Sequence, residues 1–147
     1  MSDFVFNIAK GEVKNFCKLA AANDALVYVP IEATGIEADS TLKDYDDLSA
    51  LLAGSSNEQT TLGRKTVTSA TITVDDTNDR VDIDIADQTW AASAGNAVSA
   101  VLICYDGDTT SGTDANITPL TDHAFVVTPD GTDITLVVAA AGFFRAS

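Results

Sequence analysis

The stretch Thr71–Asp87, TITVDDTNDRVDIDIAD, decides the fold class. Apolar and polar residues alternate on either side of DDTND, a run of turn formers. Ile72 and Val74 fall on one side of the first run, with Thr71, Thr73 and Asp75 on the other. After the turn, Val81, Ile83 and Ile85 share one face, and Asp82 and Asp84 share the opposite one. Period-two alternation around a turn predicts a β-hairpin with one face on a core and one in water. A slip of one residue would turn aspartates inward, so the register is well specified.

Six of these seventeen residues are aspartate, which raises a calcium site at the turn, formed by Asp75, Asp76 and Asp79. The EF-hand spacing is absent, however, and a solvated acidic face accounts for the same residues. A second acidic stretch, YDGDTTSGTDAN, places Asp106, Asp108 and Asp114 in one loop. Its glycine and serine content is ordinary loop chemistry, and Ser111 stands where an EF-hand loop beginning at Asp106 needs glycine. The pattern therefore predicts no resident metal or cofactor.

Outside the hairpin the chain is organised as one unit. Its 147 residues suit a single domain with one sizeable core. A composition 46% hydrophobic and 20% charged excludes disorder over the whole length. After a helix-prone first third, candidate strands follow at Thr66–Val74, Arg80–Ile85, Ala97–Tyr105, His123–Val127 and Asp133–Ala139, with a last short one in GFFRAS. Several short strands separated by turn signals predict a mainly β, single-domain antiparallel sandwich or barrel-like fold with one or two short helices.

Earlier in the chain, DFVFNIA reads as a short strand or arm within residues 1–9, with Phe4, Phe6 and Ile8 on one side. Val13, Phe16, Cys17, Ala20 and Ala21 have helical spacing. ALVYVPIEA reads as a strand in which Pro30 argues for an edge or a bulge. The clearest helix is DSTLKDYDDLSALLAG, capped by Ser40 or Thr41, with Leu42, Tyr45, Leu48, Leu51 and Leu52 as its apolar stripe and Gly54 at its end.

Charge and chemistry narrow the function classes. Twenty-two acidic against eight basic residues give a net charge of −14, which disfavours direct binding to nucleic-acid phosphates. No apolar run is long enough for a membrane span, and the first residues lack the basic start and apolar core of a secretion signal. Cys17 and Cys104 each stand among apolar residues and read as reduced, structural thiols. His123 is the one histidine, and no GxSxG, HExxH or GxxxxGK[ST] motif accompanies it, so the reading is non-enzymatic. Trp90 reads as a core plug, a subunit contact or a carbohydrate platform. Phe143 and Phe144 are adjacent, so a strand sends them to opposite faces, and one of them asks for a partner. Phe4, Phe6, Trp90, Phe143 and Phe144 are accordingly the candidate interface residues.

Five stretches carry a resemblance: FVFNIAKG (4–11), EADSTLKDYDDLSALLAG (37–54), TVDDTNDRVDIDIADQTW (73–90), LICYDGDTTSGTDANITPLTDHAFVVTPDG (102–131) and AAGFFRAS (140–147). Together they resemble a family of small virion structural proteins of tailed bacteriophages, of the capsid decoration or cement type. The segment Gly11 to Ala33 matches least well. The resemblance implies a protein made in the bacterial host cytoplasm and located on the outer capsid surface of the virion. It would dock there on the major capsid protein as a homo-oligomer, with a trimer favoured, and hold capsomers together. Residues 2–8 would then be an arm whose deletion weakens docking while the domain still folds. The same resemblance allows a head–tail connector, tail or fibre-associated protein. A reading from another class is a calcium-stabilised ligand-binding module built on Asp106–Asp114 and Trp90.

Overall fold

The computed structural model describes residues 1–147 as ten β-strands and three short α-helices, and every strand pair is antiparallel. The strands are β1 (Phe4–Val5), β2 (Ala25–Glu32), β3 (Lys65–Val67), β4 (Thr71–Asp75), β5 (Arg80–Asp84), β6 (Gln88–Trp90), β7 (Val98–Asp106), β8 (Ile117–Val127), β9 (Ile134–Leu136) and β10 (Phe144–Ala146). A central sheet has the order β1-β8-β7-β2-β3. Two smaller sheets, β10-β5-β4 and β6-β9, complete the set. The mainly β, antiparallel fold expected from the sequence is the fold observed.

The central sheet is apolar on both faces because β2 and β7 do not alternate. Leu26, Tyr28, Val101 and Ile103 join Ile83, Ile85, Trp90 and Ile134 in one core, which the two small sheets cover. Val27, Val29, Ile31, Ala100, Leu102 and Cys104 join Leu42, Leu48 and Leu51 in a second core on the opposite face. Continuous apolar runs such as ALVYVPI are the signature of strands buried on both sides. The two cysteines lie in different cores, and both thiols are free and buried.

Pro30 is correspondingly not on an edge strand: β2 lies inside the sheet, paired with β7 throughout. The proline is tolerated because β3 pairs only with Leu26–Tyr28. Beyond it the loop at 57–59 donates instead, with the Gln59 N–H to the Pro30 carbonyl at 2.9 Å. A residue's N and C=O point to the same side of a strand, so the missing N–H faces a segment that does not need it. A bulge follows between Ile31 and Glu32.

The long helix predicted over 39–54 is two: α2 (Asp39–Leu42) and α3 (Leu48–Ala53). Neither Ser40 nor Thr41 caps α2; its N-cap is Ala38, with no side-chain hydrogen bond. The break falls among Asp44, Asp46 and Asp47, side chains that compete for backbone N–H groups. Asp47 is extended and caps α3 by accepting from the Ala50 N–H at 2.8 Å. Leu42, Leu48 and Leu51 are all fully buried despite the break, so the apolar stripe survives.

The first helix, α1 (Val13–Phe16), is shorter than its pattern. Leu19 has φ +47° and turns the chain away, the Asp24 carboxylate holds the Ala21 N–H at 3.1 Å, and Ala21 is exposed. In the N-terminal segment, Phe4 and Phe6 pack inward beside each other, whereas Ile8 enters a 3-10 turn and is exposed.

The predicted strand Thr66–Val74 is divided between sheets: β3 belongs to the central sheet and β4 to the hairpin. β8 begins six residues before the predicted start at His123, and β6 lies where the sequence pattern predicts no strand.

The hairpin has the register anticipated. Ile72 faces Ile83, and Val74 faces Val81. Ile83 and Ile85 are buried, while Val74 near the tip is 55% exposed. No helix is long and apolar enough to cross a membrane.

Candidate interface groove

Gly142 creates the site. Its φ is +87°, and a Cβ there would overlap the carbonyl of Ile83. Only glycine lets the chain approach that closely and turn, after which the Phe143 N–H donates to the Ile83 carbonyl at 2.9 Å. β10 then continues along β5, with Phe144 opposite Ile83 and Arg145 opposite Asp82. Between this C-terminal segment and the outer part of β8 lies a groove of about 470 Å³. Phe4, Phe125, Val138, Phe143 and Phe144 line it, with the polar groups of Asp3, His123 and Arg145 among them.

The structure brings two of the five candidate interface residues, Phe143 and Phe144, together in one groove; Phe4 borders it, but its ring lies against Phe6 on the other face of the sheet. Phe6 and Trp90, also expected at a contact, are core residues at 0% and 3% exposure. Phe6 packs among the α2 and α3 leucines and against the Phe4 ring. Trp90 donates its Nε1–H to the Gly63 carbonyl at 2.9 Å and packs near Phe125, which rules out an open sugar platform.

Beside the groove, the outer edge of the central sheet is only partly covered. β1 pairs with β8 at Thr121 and Asp122 alone. The Asp3 carboxylate reaches further along, accepting from the Ala124 N–H at 2.8 Å. Beyond that, β8 runs to Val127 with β7 on one side and no strand on the other, and Val126 is 86% exposed. An uncovered edge carrying an exposed valine is a template for another strand.

His123 is tied into this edge rather than into a catalytic pair. Its Nε2 lies 2.9 Å from Thr121 Oγ1, its Nδ1 lies 3.5 Å from Asp3 Oδ2, and its ring meets Phe143 edge-on. Burial pulls its pKa down, with Asp3 opposing. Neither thiol is poised as a nucleophile: burial pushes Cys17 up to about 12 and raises Cys104 as well.

The acidic segments are engaged with their own surroundings. Asp75 accepts from the Thr77 and Asn78 N–H groups and from Asn78 Nδ2, closing the hairpin turn; the Asn78 side chain is the main reason its pKa is lowered. Arg145 lies 2.6 Å from Asp82 and holds that carboxyl low, while Arg80 sits 3.3 Å from Asp75 and 3.2 Å from Asp82. The wet face of the hairpin is thus an alternation of aspartates and two arginines.

In the second loop, Asp108 accepts from Thr110 and Ser111 and from the Thr110 N–H. Asp114 is gripped by Arg64 at 2.7 and 2.9 Å, and Arg64 also binds Glu58 at 2.8 and 2.6 Å. Asp106, Asp108 and Asp114 border one polar depression with Arg64, but no three His, Cys, Asp or Glu side chains form a metal-binding group.

Two features escaped the sequence reading. The Glu58–Arg64–Asp114 triad depends on a contact between Arg64 and Asp114, 50 positions apart, with no local signal. Asp122 is fully buried with neither carboxylate oxygen hydrogen-bonded. Asp122 falls one residue before the expected strand at His123–Val127, and the structure places it inside β8.

Compared with models of known protein families, with curated proteins and with solved structures, the chain matches none.

Proposed function

We propose that this chain is a non-enzymatic structural protein of a tailed-phage virion, of the capsid decoration type. It docks as an oligomer, a trimer in the favoured arrangement, on the major capsid protein at the outer shell. The observation that carries the assembling role is the half-covered edge of β8 beside an aromatic groove. Such an edge takes an extended strand from a neighbour through main-chain hydrogen bonds, and the groove accepts alternate side chains of that strand. The place in a virion rests on the five resembling stretches of sequence. The arrangement also suits multivalent binding: an oligomer engages repeated lattice sites far more tightly than one copy does.

The test is cryo-electron microscopy of the particle that carries the chain. Many symmetry-related copies on the outer shell, with β8 and Phe143 at contacts, support the proposal. A single ring at one vertex or density along the tail moves the function to head–tail or tail assembly. Absence from the particle refutes both.

A further inference from the structure

Asp122 poses a physical problem. It is 0% exposed, and both of its oxygens lack a hydrogen-bond partner. A buried, unpartnered neutral carboxyl costs some free energy, but a buried, unpartnered carboxylate costs far more. Phe4 of the two-residue strand β1 lies opposite it on one side, and Leu102 of β7 on the other.

The segment that carries β1 is held by its two-residue pairing with β8, by the Phe4 ring against Phe6, and by a set of side-chain contacts. The Ser2 N–H and hydroxyl both donate to Asp39 at 2.9 Å, Asp3 holds Ala124, and Lys43 lies over the Phe4 ring at 5.1 Å. At its inner end the Phe6 N–H donates to the Leu120 carbonyl, and the Phe6 side chain anchors it in the core.

We propose that residues 1–5 are a strap that docks over Asp122 when this carboxyl is neutral and is released when it ionises. Lifting the strap opens the outer side of Asp122 to water, so ionisation and docking exclude each other. Release also uncovers the edge of β8 from Thr121 onward, extending the bare segment that ends at Val127.

The charged groups around Asp122 act in the same direction or weakly against it. Asp39 in α2 and Asp3 in the strap oppose its ionisation, while the Met1 amine favours it. Lys43 sits on Phe4 rather than on the carboxyl. Burial is the largest influence, and it places the docked-state titration at about pH 7. The sign follows from linkage. A carboxyl whose docked pKa lies above its released value favours docking at low pH, and that preference fades as pH rises through the docked pKa. From pH 5 to pH 8 the opening constant rises on the order of 100-fold.

His123 is the next residue in β8, so its side chain points to the opposite face of the strand. It still touches the strap through Asp3, and its titration must therefore be separated from that of Asp122.

The experiment follows hydrogen exchange of the Ala124 amide, whose acceptor is Asp3 in the strap, as a protection factor with the intrinsic pH dependence removed. The Leu102 amide in β7 is the internal reference. The proposal expects Ala124 protection to fall on the order of 100-fold from pH 5 to pH 8 while Leu102 holds. It expects the fall to vanish in Asp122→Asn and to persist in His123→Gln. Carbon-13 titration of the Asp122 carboxyl in the unaltered protein is the second measurement, which stands even if a variant does not fold. Titration near neutrality supports the strap. Titration in the ordinary carboxylate range overturns it, as does a flat Ala124 profile, a fall that survives in Asp122→Asn, or one that disappears in His123→Gln.

Discussion

Replacing Gly142 by alanine tests how the groove is built, and Gly131 supplies the control. The two glycines have nearly the same backbone, φ +87° and +95°. Alanine at either position bears the strain of a positive φ, about 1–2 kcal/mol. The surroundings differ. A Cβ at Gly131 meets nothing within 4 Å, whereas at Gly142 it overlaps the Ile83 carbonyl. To relieve that overlap the chain must move off β5, which breaks the 2.9 Å hydrogen bond from the Phe143 N–H to the same carbonyl. Losing that bond adds about 1 kcal/mol, and lost packing of Phe143 and Phe144 adds to it. Gly142→Ala is therefore expected to cost about 2–4 kcal/mol and Gly131→Ala about 1–2. The assay is urea unfolding followed by fluorescence of Trp90, the one tryptophan, which is buried against Phe125. With a slope of about 2 kcal/mol per molar urea, the midpoint falls by roughly 1–2 M for Gly142→Ala. Equal midpoints for the two variants would refute the close approach at Gly142.

Three further outcomes are expected. Arg64→Met leaves Glu58 and Asp114 without their shared cation and costs roughly 1–3 kcal/mol at pH 7, measured by the same unfolding curves. Because Arg64 holds the Asp114 carboxyl below its usual range, this contribution is present above the unfolded pKa and is lost on acidification through the folded one, so the variant and the parent converge at low pH. Phe6→Ala removes a fully buried ring and costs about 3–5 kcal/mol; by the same logic, deleting residues 2–8 destabilises the fold itself, whereas removing residues 1–3 spares the core. Millimolar calcium leaves the melting temperature unchanged, since a ligand raises it only by binding the folded state and the acidic side chains are already engaged by Arg64, Arg80, Arg145 and their own turns; a clear rise would contradict this.

Local pattern carried the fold class. The hairpin over 71–87 was legible because alternation and turn chemistry agree, and pairing in the structure follows the same faces. The end of the 39–54 segment at Gly54 was legible as well, but its interruption was not. Helical spacing counts apolar residues, while the break depends on whether Asp47 turns its carboxylate to a backbone N–H. Pro30 argued for an edge or a bulge; a bulge follows it at Ile31–Glu32, whereas the edge alternative fails because the 57–59 loop donates across the sheet, which no neighbour in sequence reveals.

The candidate site divides along the same line. Phe143 and Phe144 stood out as adjacent aromatics at a strand-like end, and Phe4 as part of an alternating start. That Phe143 and Phe144 share one groove, while Phe4, Phe6 and Trp90 pack on the cores, follows from how the two cores close around the central sheet. The sequence by itself determined a mainly β chain, an acidic surface and a hairpin of fixed register, because these depend on composition and on residues within a few positions of one another. Only the tertiary structure decided which strands are central, which carboxylates find an arginine, and that Asp122 is buried without a partner, because each of these is set by contacts between residues far apart in the chain.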